Sequence, residues 1–282
     1  MKLTNNIYKS TLSLTLIFAL ISCQKNNDNP SFDPNGRGNL TLHFDNVAGA
    51  QLLELNSKWY KTNYRDSIRI SKFQYYVSNI KLKKTDGSQY IVPQDSSYFL
   101  VQESDPDSHE IVLHNVPFGD YNGATFTIGV DSMRNVADVS KRTGALDISV
   151  VDKGGDMYFN SNKGYVFLKL EGISPVAPFN KSYNGNVFIY QIGGFDGKNS
   201  INNLKTISLA TGSSKAMVRS EIDPEIHLVI DVLKAFGDGT NSTSKIDLAN
   251  IPIVMWGDYS KNIANNYVSM FQYDHVHNDV KK

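Results

Sequence analysis

The six histidines are the residues of this sequence best suited to metal binding or acid–base chemistry. The pair His275 and His277 is the most informative, because residues two apart in an extended chain project to the same side and can share one ion. Asp274 could bind the same ion or orient an imidazole ring. A mobile, hydrated C-terminal tail is the alternative interpretation of this segment. The full set is His43, His109, His114, His227, His275 and His277.

The other four histidines lie in segments that alternate like β-strands. His227 is on the polar face of the segment Glu225–Asp231, where it points either into a pocket or, as the alternation favours, to water. His43, His109 and His114 are interpreted as structural, because no polar cluster lies close to them in the sequence. These residues alone therefore leave the number of metal ligands open.

Sequence motifs of hydrolases and nucleotide-binding proteins are absent. The chain has no Gly-x-Ser-x-Gly, no Gly-rich phosphate loop followed by Lys and Ser or Thr, and no His-Glu-x-x-His. No nucleophile, base and orienting group can be assembled from the sequence. We therefore expect a protein that is not an enzyme.

The N-terminus has the composition of a lipoprotein signal peptide. Lys2 and Lys9 precede an apolar run over residues 12–21 that is too short to span a bilayer as a stable helix. The run leads through a small residue into Cys23, the single cysteine of the chain. The sequence predicts acylation of Cys23, with a buried thiol as the alternative. The lipid would anchor the protein to a membrane of the cell envelope, facing the periplasm or the cell surface.

The charge balance and the cysteine content limit which partners and chemistries the mature chain can have. Removal of residues 1–22 takes two of the 28 basic residues and none of the 28 acidic ones, which leaves a nearly neutral protein. We expect no nucleic-acid partner, because phosphate binding requires a basic patch. With Cys23 acylated, no thiol remains for a disulfide, a zinc site or a nucleophile.

Short runs of alternating apolar and polar residues predict β-strands along most of the chain. Leu40, Leu42 and Phe44 share one face of the first run. Helical spacing occurs over residues 260–273 and weakens before His275, which favours an extended chain there. The predicted fold class is all-β: a β-sandwich of many short antiparallel strands with one short C-terminal helix, and a barrel is the alternative.

Three segments follow from these patterns. Residues 1–22 are the predicted signal peptide, and residues 23–38 are the acylated cysteine with a flexible tether rich in Asn, Asp, Pro and Gly. Residues 39–282 are the predicted single β-sandwich domain.

Four separate blocks of the chain form a recognisable pattern. They are Ile70–Leu82 (ISKFQYYVSNIKL), Phe126–Ser132 (FTIGVDS), Gly164–Gly172 (GYVFLKLEG) and Asp274–Asn278 (DHVHN). Together they resemble one family, the MbnP-like copper-binding proteins. The likeness covers nearly all of residues 39–278, and lipoprotein members of the family are common among Bacteroidetes-type bacteria.

The resemblance implies a β-sandwich that binds copper through histidines in the periplasm or at the cell surface. In some relatives an oxidised tryptophan lies beside the metal, and the resemblance implies a di-haem peroxidase-like partner that performs this oxidation. The residues that match the family pattern are His227, His275 and His277, and the resemblance makes them the candidate metal ligands.

The chain departs from the family pattern in two places. Residues Met157–Ser161 contain no tryptophan that a partner could oxidise, where relatives read Met-Tyr-Trp-x-Trp. Gln191 stands where relatives have a histidine, and an amide oxygen is a poorer copper ligand than imidazole. The resemblance thus predicts an exported lipoprotein that binds or handles copper at a degenerate site. The alternative is a structural or protein- or glycan-binding lipoprotein that has lost metal binding.

Overall fold

Alternating apolar residues build the inner faces of the strands, as the first strand illustrates. In a computed structural model that describes residues 33, 35–195, 201–240, 243–255 and 257–280, Leu40, Leu42 and Phe44 are fully buried while their neighbours face outward. This strand begins at Arg37, inside the predicted tether. The predicted signal peptide, Cys23 and the tether up to residue 32 lie outside the described residues.

Strands account for most of the regular structure, as the sequence predicts. The described strands are β1 (Arg37–Ala48), β2 (Gln51–Leu52), β3 (Tyr60–Lys61), β4 (Ser67–Lys84), β5 (Gln89–Ile91), β6 (Tyr98–Gln102), β7 (Glu110–Pro117), β8 (Gly119–Ile128), β9 (Tyr158–Asn160), β10 (Gly164–Ile173), β11 (Val187–Gly193), β12 (Lys205–Ala210), β13 (Ala216–Val218), β14 (Glu225–Asp231), β15 (Ile253–Val254) and β16 (Phe271–His277). The described residues also form the α-helices α1 (Ser132–Asn135) and α2 (Ser260–Tyr267).

The strands form two mixed sheets, of which one is strongly curled. The smaller sheet has the order β16-β14-β1-β2, with β7 also paired to β1. The larger sheet has the order β12-β8-β4-β10-β11-β15. The remaining short strands pair with members of this order: β13 with β8, β9 with β10, and β3, β5 and β6 with β4. A mainly β protein is therefore confirmed, but the purely antiparallel arrangement is wrong, because β1 pairs with β14 and β11 with β15 in parallel. Parallel pairing joins strands that are distant in sequence, and a local pattern does not reveal it.

Aromatic rings from both sheets meet in the core. Phe44 of β1 contacts Tyr75 of β4 and Phe126 of β8, with ring centroids 6.3 and 5.7 Å apart. Phe271 of β16 lies 5.6 Å from Phe126 in an edge-to-face arrangement. Such pairs stabilise a core beyond the area that they bury, and here they hold the small sheet against the large one.

Strand β4 is buried on both faces, which explains its long apolar run. Every residue of Phe73–Ser78 is buried. Tyr75 packs into the core between the sheets, while Tyr76 packs on the opposite side in a second cluster with Tyr165 and Leu146. The aromatic residues of this strand thus fill two cores and do not form an exposed carbohydrate platform.

The C-terminal segment contains the predicted helix, but the helix is shorter than residues 260–273. After α2, a single tight turn at Val268–Met270 leads into β16. Ile263 and Tyr267 bury the apolar side of the helix, as their spacing predicts. His275 and His277 therefore lie in an extended strand paired with β14 and not in an unpaired tail. Among the described residues, no helix has the length and apolar content needed to cross a membrane.

The substitution Phe126→Ala tests the packing between the sheets. It removes a ring that contacts both Phe44 and Phe271, and we expect the free energy of unfolding to fall by about 3 to 5 kcal/mol. Chemical denaturation measures this change. Val139→Ala, at a side chain that is 65% exposed, is the control and should change stability by less than about 0.5 kcal/mol. Equal, small effects of the two substitutions would contradict this account of the core.

Candidate metal centre

Three adjacent strands of the small sheet bring four histidines into one row on its outer face. In the parallel pair β1–β14, His43 lies directly opposite His227. In the antiparallel pair β14–β16, Glu225 lies opposite His277, and a register shift after Ile226 brings His275 beside His227. Because neighbouring strands are about 4.8 Å apart, outward side chains in register must touch. We call His43, His227, His275 and His277 the histidine row.

The rings of the histidine row are stacked from strand to strand. The centroids of His43 and His227 are 4.6 Å apart at an interplanar angle of 17°, and those of His227 and His275 are 4.3 Å apart at 10°. His277 stands at right angles to His275, with its centroid 4.6 Å away. The row thus forms without any contribution from Gln191 or from the segment Met157–Ser161.

The three residues implied as ligands by the family resemblance, His227, His275 and His277, come together as one group. We call them the imidazole trio. One nitrogen from each lies within 4.8 Å of the others, and the Nε2 atoms of His275 and His277 are 2.9 Å apart. Ligand atoms on a tetrahedral ion are about 3.3 Å apart when the metal–nitrogen distance is about 2.0 Å. The spacing of the trio therefore fits a single ion held by nitrogen donors.

Carboxylates lie beside two of the rings. His275 Nδ1 is 2.8 Å from Asp274 Oδ2, and His227 Nδ1 is 3.1 Å from Asp45 Oδ2. An ionised carboxylate only accepts hydrogen bonds, so His275 donates from Nδ1 and its Nε2 faces His277. His227 has a second carboxylate, Glu225, 3.3 Å from its Nε2. Metal-binding histidines commonly have this arrangement, in which a carboxylate orients the ring and makes it more basic.

The expectation that no polar cluster lies close to His43 is wrong. His43 Nδ1 is 2.8 Å from Glu225 Oε1, and His43 Nε2 is 3.2 Å from Asp45 Oδ1. A second group that could hold a metal consists of His43, Glu225 and His227. The signal in the sequence is the matched spacing of His43 with Asp45 and of Glu225 with His227, since residues two apart share a strand face. Their meeting depends on the parallel pairing, which the sequence analysis did not predict.

The two departures from the family pattern lie in the large sheet. Gln191 of β11 donates a hydrogen bond from Nε2 to Glu171 Oε1, 2.8 Å away. Its cross-strand neighbour Lys169 is 4% exposed, and its ammonium group lies 2.8 Å from Asp156 Oδ1. Lys72 Nζ lies 2.9 Å from the other oxygen of Asp156, and these two lysines help to hold the pKa of the Asp156 carboxyl below its usual value despite its partial burial. A lysine–aspartate ion pair thus occupies this part of the large sheet.

The two remaining histidines lie outside the row. His114 is exposed on β7, where its Nδ1 lies 3.0 Å from the amide oxygen of Asn39. His109 Nε2 is 3.6 Å from Glu103 Oε2. Burial raises the pKa of Glu103 to about 7, although a hydrogen bond from Asn46 opposes the shift, and burial lowers the pKa of His109. Glu103 and His109 therefore favour their neutral forms. For His109 and His114, the interpretation as structural histidines agrees with these contacts.

These observations define the class of the protein: a mainly β protein with a candidate metal centre of imidazole donors on one sheet face. The chain belongs to the MbnP family, since the family model of MbnP matches residues 37–256. This confirms the predicted family resemblance. The matched residues include His43 and His227 and end before His275 and His277.

A solved structure supports the same fold. MbnP from Methylosinus trichosporium is similar with a TM-score of 0.50 and 16% sequence identity, over 78% of this chain and 83% of that chain. A comparison with curated proteins gives no match.

Glu103→Gln tests the buried carboxyl. Its pKa in the folded protein, about 7, is above the ordinary value of 4.5, so the folded state holds a proton that the unfolded state releases between these pH values. Ionisation of Glu103 therefore makes the free energy of unfolding fall as the pH rises from about 4.5 to about 7, by up to about 3 kcal/mol. The glutamine variant loses this contribution, and its stability relative to the wild type should increase over that pH range.

Chemical denaturation at pH 4 to 8 measures the difference, and Glu54→Gln, at a carboxyl that is 57% exposed, is the matched control. A difference between Glu103→Gln and the wild type that stays constant with pH would contradict the raised pKa.

Proposed function

We propose that this protein binds copper at the imidazole trio and holds or handles the ion outside the inner membrane, without catalysing a reaction. The observation that carries the proposal is the convergence of three imidazole nitrogens from β14 and β16, with ligand atoms within 4.8 Å of one another. Membership of the MbnP family supports it, because the family resemblance implies copper as the ligand.

The chemistry of the donors fits copper. Imidazole is a good ligand for copper and zinc, and divalent copper binds a given nitrogen site more tightly than the other first-row divalent ions. The Nε2 lone pair of His275 is available for an ion because Asp274 accepts the hydrogen bond from Nδ1. The trio lies at a partly exposed strand face, and a hydrated ion can reach it without opening the fold.

The proposed site is altered relative to the family pattern. It uses no donor from position 191, where Gln191 bonds to Glu171, and no oxidised tryptophan, because residues 157–161 contain none. We propose that the imidazole trio suffices for binding. A di-haem peroxidase-like partner has no tryptophan to modify in that segment.

We propose further that the protein is a lipoprotein of the cell envelope. The support is the sequence alone: a basic start, an apolar run over residues 12–21 and the single Cys23 at its end. Acylation of Cys23 would tether the β domain to a membrane of the cell envelope.

A second candidate function is binding of an organic ligand, such as a glycan, with no role for metal. A surface cavity of about 870 Å³ supports it, since small-molecule sites commonly have volumes of 300 to 1,000 Å³. Its walls combine aromatic rings with charged side chains, among them Tyr90, Phe99, His114 and Arg134.

Replacing both His275 and His277 by alanine tests the copper proposal. Copper should bind the wild-type protein at one equivalent through the trio and raise its melting temperature, because a ligand that binds only the folded state stabilises it. The double variant, which lacks two of the three imidazoles of the trio, should bind copper more weakly and show a smaller rise in melting temperature. Metal analysis after gel filtration and thermal unfolding with and without copper measure them.

His114→Ala is the matched control, because it removes an exposed histidine outside the row and should leave copper binding unchanged. A wild-type protein that retains no copper, or that melts at the same temperature with and without it, would refute the proposal and favour the organic ligand.

Cys23→Ser tests the anchor. In a bacterial expression host, the wild-type chain should lose residues 1–22, gain the mass of a lipid and partition with membranes, whereas the variant should remain unlipidated. Mass spectrometry of the purified protein reads out both changes. An unmodified Cys23 in a wild-type chain recovered from the cell envelope would disprove the anchor.

A further inference from the structure

Four side chains beside the imidazole trio form a closed ring of alternating histidines and carboxylates. His43 and His227 are two corners, and Asp45 and Glu225 are the other two. Asp45 lies 3.2 Å from His43 Nε2 and 3.1 Å from His227 Nδ1. Glu225 Oε1 lies 2.8 Å from His43 Nδ1 and 3.3 Å from His227 Nε2. Each carboxylate therefore faces one nitrogen of each ring.

A neutral imidazole carries only one proton, and this creates a conflict in the ring. If both histidines donate to Asp45, the lone pairs of His43 Nδ1 and His227 Nε2 point at the carboxylate oxygen of Glu225. The two nitrogen lone pairs and Glu225 Oε1 are then three hydrogen-bond acceptors that face one another. Their like partial charges repel at 2.8 to 3.3 Å. A cation between them converts the repulsion into attraction.

The charge balance of the ring also favours a cation. The side chains of Asp45 and Glu225 are only 33% and 31% exposed, and among the described residues their ion pairs involve only histidines. Glu110, opposite His43 on β7, adds a third carboxylate 3.9 Å from His43 Nδ1. Partly buried carboxylates without a lysine or arginine are costly unless another positive charge compensates them.

An approach from solvent lies next to the ring. A surface cavity of about 470 Å³ is lined by His43, Pro106, Asp107, His109, Glu110 and Val112. Two of these residues are acidic, and a negatively lined cleft raises the local concentration of cations. The cavity therefore connects His43 to the surface.

We propose that His43, Glu225 and His227 form a second cation position, which takes a divalent transition-metal ion such as Zn²⁺ or Co²⁺. Asp45 orients both imidazoles toward it. The donor atoms are 2.8 and 3.3 Å apart along the edges that meet at Glu225, close to the spacing of about 3.3 Å expected around a tetrahedral ion. The carboxylate distinguishes this mixed set from the imidazole trio, because anionic oxygen favours a divalent ion over monovalent copper.

The mixed set and the imidazole trio share His227. Since Nδ1 of His227 faces Asp45, a single lone pair on Nε2 serves both sets, and His227 binds one ion at a time. The two sets are alternative positions on one row of rings. The inference shares a residue with the proposed copper site but does not depend on copper binding.

The test uses Co²⁺ as the probe in the full-length protein that carries His275→Ala and His277→Ala, so that the trio is absent. This background should bind one equivalent of Co²⁺, visible as d–d absorption bands. Adding Glu225→Gln, which keeps the size of the side chain and removes its charge, should weaken Co²⁺ binding by at least about tenfold, and His43→Ala should do the same. Adding Glu54→Gln, at an exposed carboxyl paired with Lys58, should leave the affinity unchanged.

Two results would overturn the proposal: a background protein that binds no Co²⁺, or Glu225→Gln and His43→Ala variants that bind it as tightly as the background. If His43→Ala fails to fold, Glu225→Gln decides alone. Failure of the copper proposal is recognised separately, because it is measured on the wild-type trio with copper.

Discussion

The parallel pairing of β1 with β14 is the constraint on which the candidate centre depends. It places His43 opposite His227 and Asp45 opposite Val229, so that the outward residues of two strands distant in sequence form one polar strip. The inward residues of the same strands, Phe44 and Leu228 among them, are fully buried. A shift of this register by one residue would expose the core face, so the packing of the core and the alignment of the histidines are fixed together.

Antiparallel pairing of β14 with β16 completes the histidine row. The tight turn at Val268–Met270 leads from α2 into β16, and Phe271 at the start of β16 packs in the core against Phe126. His275 and His277 follow on a strand that pairs with β14 at Phe271–Tyr273 and again at Val276 and His277, with a register shift between them. The C-terminal histidines are thereby held by a core contact and a hydrogen-bonded ladder, although their side chains are exposed. This explains how an exposed pair of rings can be preorganised for an ion.

Charge sets the chemistry of the row. The imidazole trio contains no carboxylate among its donors, whereas the mixed set includes Glu225 and lies close to Glu110. Asp45 faces one nitrogen of both His43 and His227, at 3.2 and 3.1 Å, and Glu225 faces the other nitrogen of each ring. One strip of sheet thus offers a nitrogen-rich position and an oxygen-containing position side by side. The partly buried Glu103–His109 pair supplies no atom to either donor set, although His109 lines the same cavity as His43.

Sequence patterns correctly predicted features that depend on residues close together in the chain, such as the faces of individual strands. Alternation identified the inner face of β1 and the polar face that carries His227, and the spacing of His275 and His277 gave their common side. The sequence analysis missed the role of His43, because its partners Glu225 and His227 are brought to it by a pairing across 182 residues. It also predicted only antiparallel strands, since hairpin turns are visible in a sequence and distant parallel pairs are not. The family resemblance supplied the expectation of copper, which the residues alone could not.

The most direct measurement of the central claim is X-ray absorption spectroscopy at the copper edge of the protein loaded with one equivalent of copper. The account predicts a first shell of three imidazole nitrogens, recognised by the multiple scattering of the rings, and fewer than three when His275 and His277 are replaced by alanine. A first shell without imidazole scattering in the wild type, or three imidazole nitrogens that survive in the double variant, would contradict it.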